Sequence, residues 1–124
     1  MHTYKDLIVW QKGMDLVREV YTLTAFFPPE EHYGLTSQIK RSVISIPSNI
    51  AEGKLRNSKK EFRRFLLIAY GSGGELETQI EISKILPQTK ELDYTKVDSL
   101  LDEIMRMLNT LIKTLSVSNE NIKV

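Results

Sequence analysis

The chain has 124 residues, no cysteine and two histidines. This length fits one domain, and the lack of cysteine excludes a disulfide framework, thiolate zinc sites and a catalytic cysteine. The 17 Lys and Arg nearly balance the 16 Asp and Glu, so the formal net charge of +1 argues, at face value, against an electropositive nucleic-acid binder.

Helical periodicity dominates the sequence, and the first predicted helix covers residues 7–26. Its apolar residues recur at intervals of four, three and four, which predicts one inward face formed by Trp10, Met14, Val17 and Tyr21. Pro28 and Pro29 end this helix, because proline lacks the backbone N–H and disfavours helix in the residue before it.

The second predicted helix covers residues 36–54, with Thr36 as its N-cap. Its apolar stripe is formed by Ile39, Val43, Ile46 and Ile50. Pro47 lies inside this helix and removes the hydrogen bond to the carbonyl of Val43, which predicts that the helix is kinked or split there.

The third predicted helix covers residues 58–86 and begins with a capping box of Ser58 and Glu61. Its inward positions are Phe62, Phe65, Leu66, Ala69, Leu76 and Ile80. At 1.5 Å per residue it is about 43 Å long, which favours an elongated bundle over a compact globule.

The fourth predicted helix covers residues 94–116 and repeats apolar residues every 3.5 positions, at Val97, Leu101, Ile104, Leu108, Leu111 and Leu115. Short connections make neighbouring helices antiparallel. The whole chain, residues 1–124, is therefore predicted to be one all-α domain, an antiparallel up-down four-helix bundle with long helices and a kink at Pro47.

Metal and catalytic chemistry find little support in the sequence. Neither His2 nor His32 follows a glutamate by three positions, as the di-iron bundle motif requires. Glu77 and Glu81 lie one turn apart, but no nucleophile, base or histidine accompanies them. We therefore expect both glutamates to lie on a solvent-exposed helix face. We expect no metal, no cofactor and no enzymatic activity.

Three glycines interrupt the third helix, at Gly71, Gly73 and Gly74. The segment lacks the Lys-Ser/Thr of a phosphate-binding P-loop and follows no strand. Each glycine costs about 1 kcal/mol relative to alanine inside a helix. We expect close approach of another helix or subunit to offset this cost; a ligand-contacting notch is the alternative.

The charge is unevenly distributed along the chain. Residues 40–64 carry eight Lys and Arg against two Glu, a net charge of +6, whereas residues 65–103 carry three Lys against eight acidic residues, a net charge of −5. On a helical wheel the cations of the third helix lie opposite its core face. The predicted nucleic-acid-binding residues are Lys40, Arg41, Lys54, Arg56, Lys59, Lys60, Arg63 and Arg64. The spacing alone fits equally well a helix end whose cations are exposed to solvent and bind no nucleic acid.

Several segments together resemble a known family. They include Tyr4–Gln11 (YKDLIVWQ), Ser45–Gly53 (SIPSNIAEG) with Arg56, and the later groups Phe65-Leu66, Gly71-Ser72 and Glu75-Leu76-Glu77. In these residues the chain resembles the 23S rRNA intervening-sequence proteins, which are four-helix bundles, over about Tyr4 to Leu115. A related protein is the accessory variability determinant of diversity-generating retroelements.

The resemblance implies a bacterial homopentamer with no assigned catalytic residue. It further implies that RNA or DNA, and a protein such as a reverse transcriptase, could bind the basic surface. Pro47, Asn49 and Glu52, like the three glycines, are then expected to serve subunit contacts or helix packing. No stretch approaches the roughly 20 apolar residues of a membrane span, so a cytoplasmic protein is expected. A structural scaffold without nucleic acid, whose basic and acidic segments pair between subunits, is the alternative function.

Overall fold

The computed structural model describes residues 3–123, and the side chains of residues 3–116. The described chain forms four α-helices: α1 (Ile8–Thr24), α2 (Leu35–Leu55), α3 (Lys59–Ile85) and α4 (Thr95–Lys123). Short 3-10 turns lie at Tyr4–Asp6 and Pro29–Glu31. Each helix packs on the next along the chain, and α4 also packs on α1. The predicted all-α antiparallel bundle is therefore confirmed.

The helix boundaries lie within two residues of the predicted ones, except at the end of α4. Ser58 caps α3 as predicted, because its hydroxyl accepts a hydrogen bond from the Glu61 N–H at 3.3 Å. The prediction that Thr36 caps α2 is wrong, because Gly34 is the cap residue and Thr36 is buried in the first turn. At the other end of the chain, α4 continues past the predicted end at 116 to Lys123.

The core consists of one apolar stripe from each helix. All four predicted residues of α2, Ile39, Val43, Ile46 and Ile50, are fully buried. The 3.5-residue seam of α4 is buried from Val97 to Leu108, and Ile112 continues it. Leu111 and Leu115 are only half-buried. The strict spacing in α2 and α4 thus located their core faces correctly.

The predicted inward face of α1 is only partly correct, because Trp10 and Val17 pack against the core whereas Met14 and Tyr21 do not. Its buried residues are Val9, Gly13, Leu16, Val20, Leu23 and Thr24. Met14 and Tyr21 are 43% and 41% exposed, and Trp10 and Val17 are half-buried. Because α1 is apolar over a wide arc, two stripes share the same four-three-four spacing. The stripe chosen from sequence lies beside the core, on the side that borders α2.

Pro47 lies within an unbroken α2, so the proline does not split the helix. The residue is buried, and its ring lies against α1 at Gly13, where an added Cβ would be 3.3 Å from the Pro47 Cβ. The missing side chain at Gly13 therefore makes room for the proline at the helix crossing. The kink at Pro47 stays a prediction.

The α2–α3 hairpin is the most extensive helix contact, and Gly53 sets its closest point. A Cβ at Gly53 would lie 2.6 Å from the Cβ of Phe65 and 3.3 Å from the backbone oxygen of Phe62. Two hydrogen bonds then join the helices further along: Ser42 donates to Glu75 at 3.1 Å, and the hydroxyls of Ser45 and Ser72 are 2.7 Å apart. These contacts fix the register of α2 against α3.

Titratable side chains connect α3 to α4 at the end of the bundle opposite the α2–α3 turn. The Lys84 ammonium donates to Asp98 at 2.8 Å and to Glu81 at 2.7 Å, and these hydrogen bonds raise the pKa of Lys84. Tyr94 is buried and donates its hydroxyl to the Thr89 carbonyl at 2.8 Å. Burial raises the pKa of Tyr94 above its ordinary value of 10.0.

Replacing Gly53 with alanine is expected to lower the free energy of unfolding by about 1–3 kcal/mol, because the new methyl group meets backbone and Cβ atoms that cannot move aside. Urea unfolding followed by circular dichroism measures this. The control is Ser37→Ala on the exposed side of α2, which should change stability by no more than about 0.5 kcal/mol. Equal stabilities for the two variants would contradict the close contact.

Stability is expected to fall as the pH rises above about 10, because the unfolded chain releases the Lys84 and Tyr94 protons at lower pH than the folded protein does. Tyr94→Phe should flatten this decline, measured as the urea midpoint between about pH 8 and about pH 11. The control Tyr33→Phe changes a tyrosine that is 92% exposed and should leave the decline unaltered. A decline of equal steepness in both variants would refute the role of Tyr94.

Candidate nucleic-acid interface

A cationic turn joins α2 to α3 at one end of the bundle. Helix α2 ends at Leu55, and Asn57 takes the left-handed conformation, with φ of 57°, that reverses the chain. Ser58 then caps α3, whose first two residues are Lys59 and Lys60. The tight reversal therefore places the cations at the end of α2 beside those at the start of α3. We call this surface the basic end; it comprises Lys54, Arg56, Lys59, Lys60, Arg63 and Arg64.

Two phenylalanines support three of these cations. The Lys54 ammonium lies 5.5 Å from the centre of the Phe62 ring. The guanidinium groups of Arg56 and Arg64 lie 5.0 Å and 4.7 Å from the centre of the Phe65 ring. A cation over an aromatic face is held by the ring quadrupole. Packing on these two rings therefore helps to keep the three cationic side chains in place at the solvated surface.

The six cations differ in how far they are already paired. Arg56 donates to Glu52 at 2.7 Å and Arg64 to Glu61 at 3.3 Å. Arg63 is half-buried and donates to the Ile112 carbonyl of α4 at 3.3 Å. By contrast, Lys59 and Lys60 are exposed, and no carboxylate within the described residues pairs with them or with Lys54. The three lysines carry the charge that is available to a partner.

A small cleft of about 170 Å³ opens beside two of these lysines, Lys54 and Lys59. Its lining is formed by Lys54, Asn57, Ser58, Lys59 and Phe62. The cleft lies at the N-terminus of α3, where unpaired backbone N–H groups and the helix dipole favour negative charge. Lysine side chains and a helix N-terminus therefore meet around one polar recess.

Lys40 and Arg41 do not belong to the basic end. They lie on the second turn of α2, and the step of 13 positions from Arg41 to Lys54 corresponds to about 20 Å along the helix axis. Lys40 lies over the Tyr21 ring of α1, 4.6 Å from its centre. The set of eight cations drawn from the sequence thus separates into six at one end and two near the other.

The residues predicted to serve packing or subunit contact also lie in different surroundings. Gly73 is buried, and an added Cβ would collide with the sulfur of Met105 in α4. Gly71 and Gly74 face open space, with nothing within 4 Å of an added Cβ. Pro47 packs on α1, as described above. Asn49 donates to the Ser45 carbonyl at 2.8 Å and to its hydroxyl at 2.9 Å, and Glu52 accepts from Arg56.

The described residues give no support to a metal site or to catalysis by paired carboxylates. No group of three or more His, Asp or Glu that could hold a metal occurs in the described residues. His32 is exposed and contacts Tyr33, Glu77 is exposed, and Glu81 pairs with Lys84. His2 lies outside the described residues. Nor does any described helix combine the length and apolar character needed to cross a membrane.

Three residues that set contacts between helices are not predicted from the sequence. Gly13, Gly53 and Ser72 set the α1–α2 and α2–α3 contacts, but a lone glycine or serine carries no periodic signal. The one available signal for Gly53 was its place at the end of the motif Ser45–Gly53. In the fold this motif faces α1 through Pro47 and α3 through Ser45 and Gly53, so it is a packing segment shared by two interfaces.

The structure thus defines an all-α four-helix bundle with a basic end and no recognisable catalytic centre in its described part. The family model of the 23S rRNA-intervening sequence proteins matches residues 5–110, and the chain belongs to that family. The matched range includes α1, α2, α3 and the cationic turn. No curated protein sequence matches the chain.

Proposed function

We propose that this protein is a non-enzymatic homo-oligomer that binds the backbone of RNA or DNA through its basic end. The observation that carries the proposal is the grouping of three unpaired lysines, Lys54, Lys59 and Lys60, around the N-terminus of α3. Phosphate groups are the ligand that such a surface fits, because they pair with ammonium groups and with helix N–H groups alike.

The arrangement favours contact with phosphates over base recognition. The basic end is a turn between two helices, and its lysine and arginine side chains suit contact with phosphate oxygens. Contacts to phosphates position a protein on nucleic acid but carry no sequence information. Binding should therefore depend strongly on salt and weakly on sequence.

Assembly into an oligomer is supported by the outer face of α3. Opposite its core stripe this helix carries Leu67, Gly71, Gly74, Thr78, Ile82 and Ile85, and a helix that is apolar on two faces needs a second partner. Copies arranged in a ring repeat the basic end in every subunit. Several weak sites then bind one nucleic acid with much higher avidity than one site. The family resemblance implies five copies.

A scaffold without nucleic acid is the second candidate. It is favoured by the acidic residues at the opposite end of the bundle, Glu30, Glu31, Glu91 and Asp93, all of which are partly or fully exposed. Basic and acidic ends of different copies could pair. In that case salt would dissociate the oligomer and the protein would not shift an RNA or DNA probe in gel electrophoresis.

The double variant Lys59→Gln/Lys60→Gln is expected to weaken binding to both a structured RNA hairpin and an unrelated DNA duplex by about tenfold or more at low salt. The slope of log affinity against log salt should shrink by about two, since each lysine lost removes about one phosphate contact. Fluorescence anisotropy across a salt series measures both quantities.

The matched control is Lys90→Gln/Lys96→Gln, which removes the same charge from two exposed lysines at the opposite end of the bundle. This variant should retain most of the affinity. If the two double variants weaken binding equally, total charge and not the basic end determines binding. If neither probe binds the unaltered protein, the scaffold function is favoured instead.

A further inference from the structure

Two of the apolar faces on the described bundle surface are not covered by described residues of the same chain. One is the groove between α1 and α2, and the other is the outer face of α3. We infer that these two faces are the two halves of one repeated subunit interface, so that the outer face of α3 in one copy occupies the α1–α2 groove of the next copy. This inference rests on the proposed homo-oligomer and specifies how its copies meet.

The α1–α2 groove has a volume of about 360 Å³ and no charged residue in its lining. It is lined by Tyr4, Trp10, Met14, Val17, Ile44, Pro47, Ser48 and Ala51. Ile44 is 43% exposed although it lies in the middle of α2. The groove also contains part of the α1 stripe whose spacing is typical of a buried helix face. Coverage by another apolar surface accounts for that spacing.

The outer face of α3 has a shape that suits close helix contact. Gly71 and Gly74 lie one turn apart with open space above both, and the flanking Leu67 and Ile82 are exposed. Glycine is unfavourable inside a helix relative to alanine, and no described residue lies within 4 Å of a Cβ added at either position. A helix from outside the chain can approach the backbone closely at such a pair of glycines.

The two faces lie at the same height, that is, at the same position along the bundle axis. The Ser42–Glu75 and Ser45–Ser72 hydrogen bonds place residues of α2 and α3 at equal height when their numbers add to 117. By this rule Ile44 lies level with Gly73, between the open Gly71 and Gly74. In a closed ring whose axis runs along the bundle, residues of equal height meet. The protruding side chain in the groove therefore faces the glycine notch of the neighbouring copy.

The charges beside the two faces are complementary, which identifies the occupant as a second copy. Arg41 borders the groove and lies level with Leu76, so Glu75 of the next copy, at the edge of the outer face of α3, is within about one residue of its height. Among the described residues Arg41 forms no ion pair, and the one hydrogen-bond partner of the Glu75 carboxylate is Ser42. Opposite charges therefore face each other across the contact. Because the two faces differ, the contact is head-to-tail, which is the kind of contact from which closed rings are built.

The absence of cysteine allows a direct test by engineered disulfides. Ala51 lines the groove, and Leu67 lies on α3 at nearly the same height. The double variant Ala51→Cys/Leu67→Cys, oxidised under mild conditions, is expected to give a covalent ladder from dimer upward on denaturing gels. Each single-cysteine variant alone should not, whereas a mixture of the two should give one crosslinked dimer.

The matched control is Ala51→Cys/Thr110→Cys, since Thr110 is exposed on α4 at a height close to that of Leu67. Light scattering of the unaltered protein is measured alongside. A monomer would show that the proposed oligomer itself fails. An oligomer that gives no ladder with the Leu67 pair, or an equal ladder with the control, would overturn the inferred interface while leaving the oligomer intact.

A second variant separates assembly from folding. Gly74→Leu fills the notch, and it should shift most of the protein to the monomer mass while the helical circular dichroism spectrum is retained, because the open side of α3 tolerates a side chain within the monomer. If the Gly74→Leu protein keeps the mass of the unaltered oligomer, the glycine notch is not part of the contact and the inference is wrong.

Discussion

The close contact between α2 and α3 is the constraint on which the other features depend. Gly53 lets the two helices meet at their shared turn, and the paired serines further along fix how one helix lies against the other. A turn this tight leaves the last residues of α2 beside the first residues of α3. Two short groups of cations, separated in sequence by Asn57 and Ser58, therefore become one surface.

The same contact converts a neutral chain into a polarised molecule. The net charge of +1 is an average, because the hairpin turn gathers lysine and arginine at one end while the exposed acidic residues of the two other connections lie at the opposite end. Composition alone argued against a polyanion as partner. That argument fails because electrostatic attraction depends on local potential, which the fold sets, and only weakly on the total charge.

The elements that sequence predicted best are those whose apolar residues form a single narrow stripe. In α2 and α4 the spacing of Ile and Leu left one choice of face, and the structure agrees. In α1 it did not, because Trp10, Met14, Val17 and Tyr21 compete with a second stripe of the same period. Periodicity identifies an apolar face but does not say whether the chain itself or another chain covers it. Lys40 and Arg41 were grouped with the basic end for a related reason: sequence proximity ignores the length of the helix that separates them.

The three glycines of α3 form one feature in the sequence but have two different surroundings in the structure. Gly73 is explained within the chain, since Met105 occupies the space that a side chain would need. Gly71 and Gly74 have no such explanation, although they share the same helix turns and the same cost in helix propensity. A cost that recurs on one face of a helix, beside exposed leucine and isoleucine, requires an offsetting contact. None of the described residues supplies one on that side. The contact inferred above with a neighbouring copy would offset this cost, because the uncharged groove between α1 and α2 matches the outer face of α3 in polarity and height.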